Sequence, residues 1–580
     1  MATRRGGFRA LSWANQLLAH QRPSWRCASC RVVRPAPILS PRRYTTTSSE
    51  GASKKPYYIT TPIFYVNAAP HVGHLYTMVI ADVLKRWRAL IGEDDAQLLT
   101  GTDEHGMKIQ QAASAAGIDT QAFCDRNCKT FRDLANAANM DYSYFIRTTE
   151  TAHKEAVQYF WEMLQHRGFI YTAKHEGWYS ISDETFYPQS QVQLSLDPTT
   201  GRKRMVSVET GKEVEWSSET NYHFRLSAFQ DRLLELYKTG FITPEHYLPD
   251  VVNSVSSGLQ DLSISRPVER LTWGIPVPGD KTQTIYVWLD ALVNYLTKAG
   301  YPFPPGEGSR LGWPVDVHVV GKDIVRFHCV YWPAFLMALD LPLPRNVLVH
   351  GHWTMNREKM SKSTGNVVNP FFAIDRFGVD TMRFFLAFQG GLASDADYDN
   401  AHIIRDYKKF LQQGVGNIAH RTIGCSKGKL RLYIENAVSG NSPEQAADRE
   451  YQEVLSKLPT RVAEHMEQLN PRAALQEIMG VVLQVRRIPR TNKYFHNSAP
   501  WRDPEQHQRV LYNVAESMRI TGILLQPFMP SKSKEILDVF RVDNSDPSKR
   551  SFSAARYGAD PDYGEDVKKT ILFPPLVVET

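Results

Sequence analysis

The chain has 580 residues, of which 42% are hydrophobic and 22% are charged, a composition typical of folded globular proteins. One hydrophobic core does not extend over this length, so we expect two to four structural units. The longest apolar stretches, such as CVYWPAFLMAL (329–339), are shorter than the roughly 20 residues that cross a bilayer, which argues against a membrane protein.

The first 49 residues account for the net charge of +7, because they contain nine arginines and neither lysine nor acid. Arginine mixed with serine, alanine, threonine and apolar residues is typical of a mitochondrial transit peptide. The stretch PRRYTT (41–46) is the candidate processing region. A disordered basic tail that binds nucleic acid is the alternative interpretation.

Ordered structure begins with an aromatic and β-branched run, PYYITTPIFYV (56–66), which predicts a buried strand. HLYTMVIADVLKRWRALIG (74–92) then has apolar residues at helical spacing and ends at Gly92. A second strand, AQLLTGTDEHG, and a second helix, MKIQQAASAAG, follow. This alternation predicts a parallel α/β sheet, in which ligands bind beyond the carboxyl ends of the strands.

Between about residues 169 and 250 the pattern changes to short aromatic runs separated by turns, which predicts a β-rich insertion. The α/β pattern resumes with QTIYVWLDALVNYL and VDVHVVGKDIVRFHCVYW. After about residue 395 the pattern is almost wholly helical, which predicts a helix bundle. We therefore expect a leader over 1–49, an α/β unit over 50–394 that contains the insertion, and a helical unit over 395–580.

Two histidines three residues apart, His71 and His74, lie at the junction of the first strand and the first helix. A helix N-terminus offers unpaired N–H groups and a positive dipole end, which suit phosphates. Histidines at this spacing can donate hydrogen bonds from one side, and Gly73 would let a nucleotide approach the backbone. Taken alone, so short a pattern is more often an ordinary pair of surface histidines.

The polar stretch EKMSKSTGN (358–366) has no apolar periodicity and carries Lys359 and Lys362. Compact charges on flexible stems can follow the charge that builds on a leaving phosphate. Cleavage between the α- and β-phosphates of ATP needs cations placed for the transition state. A lone KxxK is usually a solvated loop, but the two motifs together, each at a strand end, are far more specific.

Here the chain resembles the class I aminoacyl-tRNA synthetases, whose signatures are HIGH-like and KMSKS-like. It has HVGH (71–74) and an unaltered KMSKS (359–363). Among these enzymes it is most similar to the methionyl-tRNA synthetases of mitochondrial type, through TTPIFYVNAAPHVGH, LLTGTDEHG, YVWLDALVNY, GKDIVRFHCVYWPA, KMSKSTGN and APW. The resemblance implies a Rossmann-like catalytic domain over 50–394, with its KMSKS loop at 358–366, and an anticodon-binding helical bundle over 395–580.

The resemblance also implies the reaction, in which ATP activates methionine as methionyl-adenylate and the tRNA 3′-terminal ribose accepts it. The implied ATP-binding residues are His71, Gly73, His74 and Lys362, and the implied catalytic residues are His71, His74, Lys359 and Lys362. Magnesium would arrive with ATP. No covalent nucleophile is needed, so catalysis would consist of positioning and charge stabilisation.

A methionine pocket must use shape, aromatic contact and a weak donor to sulfur, because the side chain is unbranched and uncharged. By resemblance, Asp103 would hold the α-ammonium group. The remaining pocket residues would be Tyr65, Trp288, Ala291, Leu292, Tyr295, Ile324, His328 and Trp332. Without the resemblance, the aromatic residues would be assigned to the core and His328 to a buried hydrogen bond. Lys322 and Asp323 would be neighbours of the site without an assigned role.

The helical unit contains GNIAHR (416–421) and SAPWR (498–502). An exposed Trp beside Pro can stack an unpaired RNA base, and Asn417 and Arg421 would share one helix face. By resemblance, Asn417, Arg421 and Trp501 would bind the CAU anticodon. A Trp that closes the helix bundle is the alternative for Trp501.

Two features depart from the family pattern. Many members carry zinc knuckles in the insertion, but here Ser180 and Asp183 stand where thiolates might be expected, so we expect no structural zinc. Some members carry a further C-terminal tRNA-binding or dimerising module, which we do not find after the bundle, so we expect a monomer.

Two other functions stay open from the sequence. One is a class I synthetase for leucine, isoleucine or valine, although the roughly 80-residue insertion is small for the editing that such enzymes need. The other is a non-catalytic RNA-binding protein derived from a synthetase, although both signature motifs are intact.

Overall fold

A computed structural model describes residues 55–181, 185–187, 189–197, 200–208, 210–304, 308, 312–360, 366–441, 448–487 and 504–576. Four predictions fall outside these ranges: the transit peptide at 1–49, Asp183, Lys362 and Trp501.

The strands are β1 (Tyr58–Tyr65), β2 (Gln97–Asp103), β3 (Tyr144–Arg147), β4 (Ile170–Ser180), β5 (Thr185–Tyr187), β6 (Val192–Leu196), β7 (Lys203–Ser207), β8 (Glu215–Phe224), β9 (Ile242–Thr243), β10 (Leu262–Ser263), β11 (Ser265–Pro267), β12 (Pro276–Val277), β13 (Asp280–Ile285), β14 (Val317–Gly321), β15 (Asn346–His350), β16 (Trp353–Met355), β17 (Glu358–Lys359) and β18 (Ala396–Asp397). The helices are α1 (Val72–Leu90), α2 (Met107–Ala115), α3 (Thr120–Ala137), α4 (Thr151–His166), α5 (Gln230–Tyr237), α6 (Leu248–Ser256), α7 (Val287–Lys298), α8 (Trp332–Ala338), α9 (Pro370–Phe377), α10 (Val379–Gln389), α11 (Asn400–Asp406), α12 (Asn417–Ser426), α13 (Leu430–Val438), α14 (Arg449–Glu467), α15 (Pro471–Arg487), α16 (Pro504–Leu524) and α17 (Pro530–Val539).

The central sheet has the strand order β3–β2–β1–β14–β15–β9, and every neighbouring pair is parallel. The central strand β14 (VHVVG) is buried along its whole length, as expected for a strand covered on both faces. The predicted parallel α/β sheet is therefore confirmed. The strand order reverses between β1 and β14, and a ligand crevice forms at such a reversal, beyond the carboxyl ends of the strands.

The β-rich stretch forms two small antiparallel sheets. Strands β10, β8, β4 and β5 make one sheet, and the hairpin β6–β7 makes the other. After β8 the chain returns through α5 to the edge strand β9 of the central sheet.

The helical end packs against the α1 face of the sheet, and the two share one hydrophobic cluster. Arg383 of α10 links them from a buried position. Its guanidinium pairs with Asp82 of α1 at 2.6 Å and donates to the carbonyls of Ala138, Pro527 and Phe528 at 3.1, 2.9 and 3.1 Å. A buried guanidinium with this many partners fixes the helical end relative to the sheet.

Candidate active site

The tip of α1 holds the two predicted histidines against each other. His71 caps the helix: its Nδ1 accepts from the Gly73 N–H at 3.1 Å, and its own N–H donates to Nδ1 of His74 at 3.0 Å. The ring centroids are 3.9 Å apart. Because each Nδ1 accepts a backbone hydrogen, each neutral imidazole carries its proton on Nε2. In each ring, Nε2–H is therefore the group that can donate a hydrogen bond to an anion.

Aromatic side chains fix the His74 ring. Phe64 of β1 and Phe131 of α3 meet it edge to face, with centroids at 5.3 and 5.2 Å, and the two phenyl rings stack on each other. The sequence did not single out Phe131, which reaches the site from a helix more than fifty residues along the chain.

Gly73 leaves no room for a side chain. A Cβ at this position would lie 2.8 Å from Cε1 and 3.0 Å from Nδ1 of His71. The glycine is therefore required by the position of the His71 ring, in addition to any access that it gives to a nucleotide.

The stretch that follows the KMSKS signature returns to the same helix tip. The N–H of Val72 donates to the carbonyl of Val368 at 3.2 Å. Met360, at the start of the signature, is buried in the same hydrophobic cluster as Val72. The side chain of Lys359 and residues 361–365, including Lys362, lie outside the described part of the chain. The flanks of the two signatures thus meet, although almost 300 residues separate them.

Tyr65 and Asp103 are paired in register where β1 and β2 end. Asp103 is buried, with 8% of its surface exposed. Burial raises the pKa of Tyr295, and the charge of Asp103 raises it further, so the two groups lie within electrostatic reach of each other. The candidate ammonium ligand therefore lies near the candidate side-chain pocket.

Glu104, which the sequence did not single out, anchors this end of β2. Its carboxylate accepts two hydrogen bonds from Arg147, both at 2.8 Å, and one from the Thr149 hydroxyl at 2.6 Å. Such a bidentate pair between a buried carboxylate and a half-buried guanidinium anchors the residue next to Asp103.

Tyr295 and His328 form a buried hydrogen-bonded pair. His328 Nδ1–H donates to the carbonyl of Ile324 at 3.0 Å, so its Nε2 accepts from the Tyr295 hydroxyl at 2.7 Å. Burial lowers the pKa of His328 from 6.5 to about 4. At neutral pH the pair is uncharged and has a fixed tautomer, which suits an uncharged ligand side chain.

Of the other predicted pocket residues, Trp288, Ala291 and Leu292 share α7 with Tyr295, and Trp332 lies beside Tyr295. Trp288 is half-buried and stacks on Phe327, with centroids 3.4 Å apart. Ala291 and Leu292 are buried in α7, and Trp332 is fully buried with its ring 6.0 Å from that of Tyr295. Trp332 therefore packs against Tyr295.

Asp290 joins the end of β2 to α7 through two histidines. Its Oδ2 accepts from His105 Nδ1 at 2.6 Å and its Oδ1 from His153 Nε2 at 2.8 Å. Burial acts to raise the pKa of Asp290, but the two histidines outweigh it and hold the pKa at about 2, below 3.8. The ionised carboxylate thereby ties the Asp103 side of the crevice to the helix that carries Trp288 and Tyr295.

Lys322 and Asp323 follow β14 at the crevice. Lys322 pairs with Asp395 at 2.8 Å, and Asp323 pairs with His352 at 3.2 Å. Both contacts connect the end of β14 with the segment around β16 and β18.

In the helical end, Arg421 donates from Nε to the Asn417 side-chain oxygen at 3.1 Å. Both side chains are half-buried on one face of α12. Trp501 lies outside the described ranges.

None of the described helices has both the length and the apolar character needed to cross a membrane. Within the described ranges, no three His, Cys, Asp or Glu side chains gather to hold a metal ion. Ser180 is buried at the end of β4.

Comparison with known proteins gives consistent matches. The family model for class I (M) tRNA synthetases matches residues 57–423. The probable mitochondrial methionine–tRNA ligase of Neurospora crassa is 50% identical over 96% of this chain and 92% of its own length. Its counterpart in Schizosaccharomyces pombe is 48% identical over 84% and 90%. The structure of the Mycobacterium tuberculosis methionyl-tRNA synthetase with methionyl-adenylate superposes with a TM-score of 0.81 at 38% identity, covering 90% of this chain and all of that one.

Proposed function

Because the chain belongs to the class I (M) tRNA synthetase family, we propose that it is a mitochondrial methionine–tRNA ligase. A methionine carboxylate oxygen attacks the α-phosphorus of ATP, the bond to the β-phosphate breaks, and pyrophosphate leaves. The tRNA 3′-terminal ribose hydroxyl then attacks the carbonyl of methionyl-adenylate, and AMP leaves. ATP enters as its magnesium complex, and we propose no structural zinc.

The roles at the crevice follow from the chemistry of these steps. We assign ATP phosphate binding to the Nε2–H groups of His71 and His74 at the positive end of α1, with Gly73 keeping His71 in place. Lys359 and Lys362 would neutralise the charge that develops on the departing pyrophosphate. This arrangement needs no covalent intermediate on the protein.

We propose that methionine is selected by an uncharged side-chain pocket together with the carboxylate of Asp103. We assign the α-ammonium group to Asp103, where a charge-assisted hydrogen bond is available. The side chain would lie among Tyr65, Trp288, Ala291, Leu292, Tyr295, Ile324 and His328, with Trp332 behind them. A pocket lined by large aromatic rings favours an unbranched thioether, because sulfur makes favourable contacts with aromatic rings.

We assign anticodon binding to Asn417, Arg421 and Trp501, because an amide beside a guanidinium can read base edges and an indole can stack a base. We also propose residues 1–49 as a transit peptide for the matrix, a catalytic domain over 50–394, an anticodon-binding domain over 395–580 and a monomeric enzyme.

The observation that supports the activity most strongly is the bond from Val72 to Val368, because it brings the flanks of both signatures to one crevice. The test is methionine-dependent exchange of pyrophosphate into ATP by the Lys362→Ala variant. We expect kcat to fall by at least about 100-fold, because one electrostatic donor to a transition state contributes that much, while the Kd for methionine stays unchanged.

Lys534→Ala is the matched control, since Lys534 is an exposed lysine on α17 with a surface partner. It should exchange like wild type. Equal exchange by Lys362→Ala and wild type would contradict the assignment of that lysine. Exchange driven better by leucine, isoleucine or valine than by methionine would contradict the methionine pocket.

A further inference from the structure

The hairpin that leads into the signature contains a strained turn. Strands β16 and β17 pair through Thr354 with Lys359 and Met355 with Glu358, which leaves Asn356 and Arg357 as a two-residue turn. Their φ angles are 55° and 63°. Two-residue turns of this kind favour Asn followed by Gly, because both positions need positive φ. Arginine carries a Cβ that opposes this conformation, so Arg357 needs support from its surroundings.

Asp397 of β18 provides that support. One oxygen, Oδ1, accepts from the Arg357 N–H at 2.9 Å and from the Thr354 hydroxyl at 2.7 Å. Burial acts to raise the pKa of Asp397, but these bonds and the Arg357 charge outweigh it and keep the pKa below 3.8. An ionised carboxylate therefore bridges the turn and one strand of the hairpin.

The segment that carries Asp397 is itself fixed to the crevice. A Cβ on Gly351 would lie 2.2 Å from the carbonyl oxygen of Ser394, and one on Gly391 would lie 1.9 Å from it, so the backbones touch. Asp395 accepts from the His352 N–H at 2.9 Å and pairs with Lys322 at the end of β14. The Asp397 carboxylate thus connects the hairpin to a segment that is bonded to Lys322 at the end of β14.

We propose that Asp397 is a positioning residue for adenylate formation: it holds Arg357 in the left-handed conformation and so sets the direction in which the hairpin enters the signature. This rests on the proposed function, in which the lysines of the signature act on ATP. Asp397 touches no substrate and acts only through the turn.

The test is a suppressor experiment. Asp397→Ala removes the support, whereas Asp397→Asn keeps an oxygen that can accept both hydrogen bonds. Arg357→Gly removes the need for support, because glycine adopts positive φ without a Cβ penalty. We expect Asp397→Ala to lower kcat of pyrophosphate exchange about tenfold, since small misplacements of catalytic groups have effects of this order or more, with the KM for methionine unchanged.

Asp397→Asn and Arg357→Gly should each stay within about twofold of wild type, and the double variant Asp397→Ala/Arg357→Gly should recover to within about threefold, since glycine needs no support for this turn. Exchange is measured well below the melting temperature of every variant. Asp546→Ala is the control, because Asp546 likewise accepts from one backbone N–H and one hydroxyl, both of Ser548, far along the chain.

A double variant as impaired as Asp397→Ala would overturn the proposal, because the loss of activity would then not be caused by the conformation of the turn. Full activity of Asp397→Ala, or impairment of Asp397→Asn equal to that of the alanine variant, would overturn it as well. Failure of the lysine assignment on which this proposal rests has a different signature: Lys362→Ala would then exchange like wild type, whatever the behaviour of the turn variants.

Discussion

Replacement of Gly73 by alanine should separate activity from stability, because activity should fall while the free energy of unfolding changes little. The new Cβ would lie 2.8 Å from Cε1 of His71. Carbon atoms in contact prefer about 3.5–4.0 Å, so the His71 ring must move by at least roughly 0.7 Å. That movement breaks the capping bond from the Gly73 N–H and disturbs the His74 ring packed 3.9 Å away.

The expected magnitudes follow from these contacts. Loss of the cap costs about 1 kcal/mol, and alanine in place of glycine in a helix returns roughly 0.5–1 kcal/mol, so the free energy of unfolding should change by less than about 1 kcal/mol. A misplacement approaching 1 Å in a catalytic group can cost on the order of 100-fold. We therefore expect kcat/KM for ATP to fall between about 10- and 100-fold, with little change in methionine affinity.

Pyrophosphate exchange at varied ATP concentration and urea unfolding measure the two effects. Gly480→Ala is the control, because Gly480 is an exposed glycine of α15 and its Cβ would meet no described atom within 4 Å. It should be about as active as wild type and slightly more stable. If Gly73→Ala kept full kcat/KM for ATP, the histidine pair would have no role in ATP binding, and the reasoning from its geometry would be wrong.

Tyr295→Phe should raise the KM for methionine about tenfold and destabilise the fold by about 1–3 kcal/mol, because it leaves the buried Nε2 of His328 without its hydrogen-bond donor. An unchanged KM for methionine in pyrophosphate-exchange kinetics would refute the assignment of this pocket. Asp290→Asn should lower the free energy of unfolding in urea by about 3 kcal/mol, because the buried charge that binds two histidines is lost. Unchanged stability would show that the Asp290 carboxyl is not ionised. The pKa values of His328 and His350 are both lowered from 6.5 to about 4, mainly by burial, so between these values the unfolded chain binds more protons than the folded one. Stability should therefore fall by about 1.4 kcal/mol per histidine for each pH unit between pH 6.5 and 4, and His328→Gln should reduce that slope in urea unfolding; an unchanged slope would count against a neutral buried imidazole.

Local signals predicted much of the fold and part of the site. The strand–turn–helix pattern around His71 and His74 was enough to place both rings at a helix tip, because capping and helical spacing act within four residues. The same applies to Asn417 and Arg421, which are four residues apart and share a hydrogen bond on α12.

Contacts between distant segments had no such signal. Asp290 is flanked by the apolar residues Leu289 and Ala291 in α7, so its local sequence does not indicate a role. Its histidine partners are 185 and 137 residues away along the chain. Glu104 and Asp397 are likewise common acids in polar stretches, and only the folded chain shows that Arg147 and Arg357 depend on them. Single-sequence patterns report periodicity and turns, and they contain no information on which strand ends become neighbours.

The activity that everything above depends on is the charging of tRNA with methionine. The most direct measurement is aminoacylation of a mitochondrial tRNA pool by the purified protein, with ATP and each of the twenty amino acids in turn. We expect that methionine alone is attached, that attachment requires ATP, and that only tRNA(Met) becomes acylated. Charging with leucine, isoleucine or valine, or binding of tRNA without any charging, would contradict it.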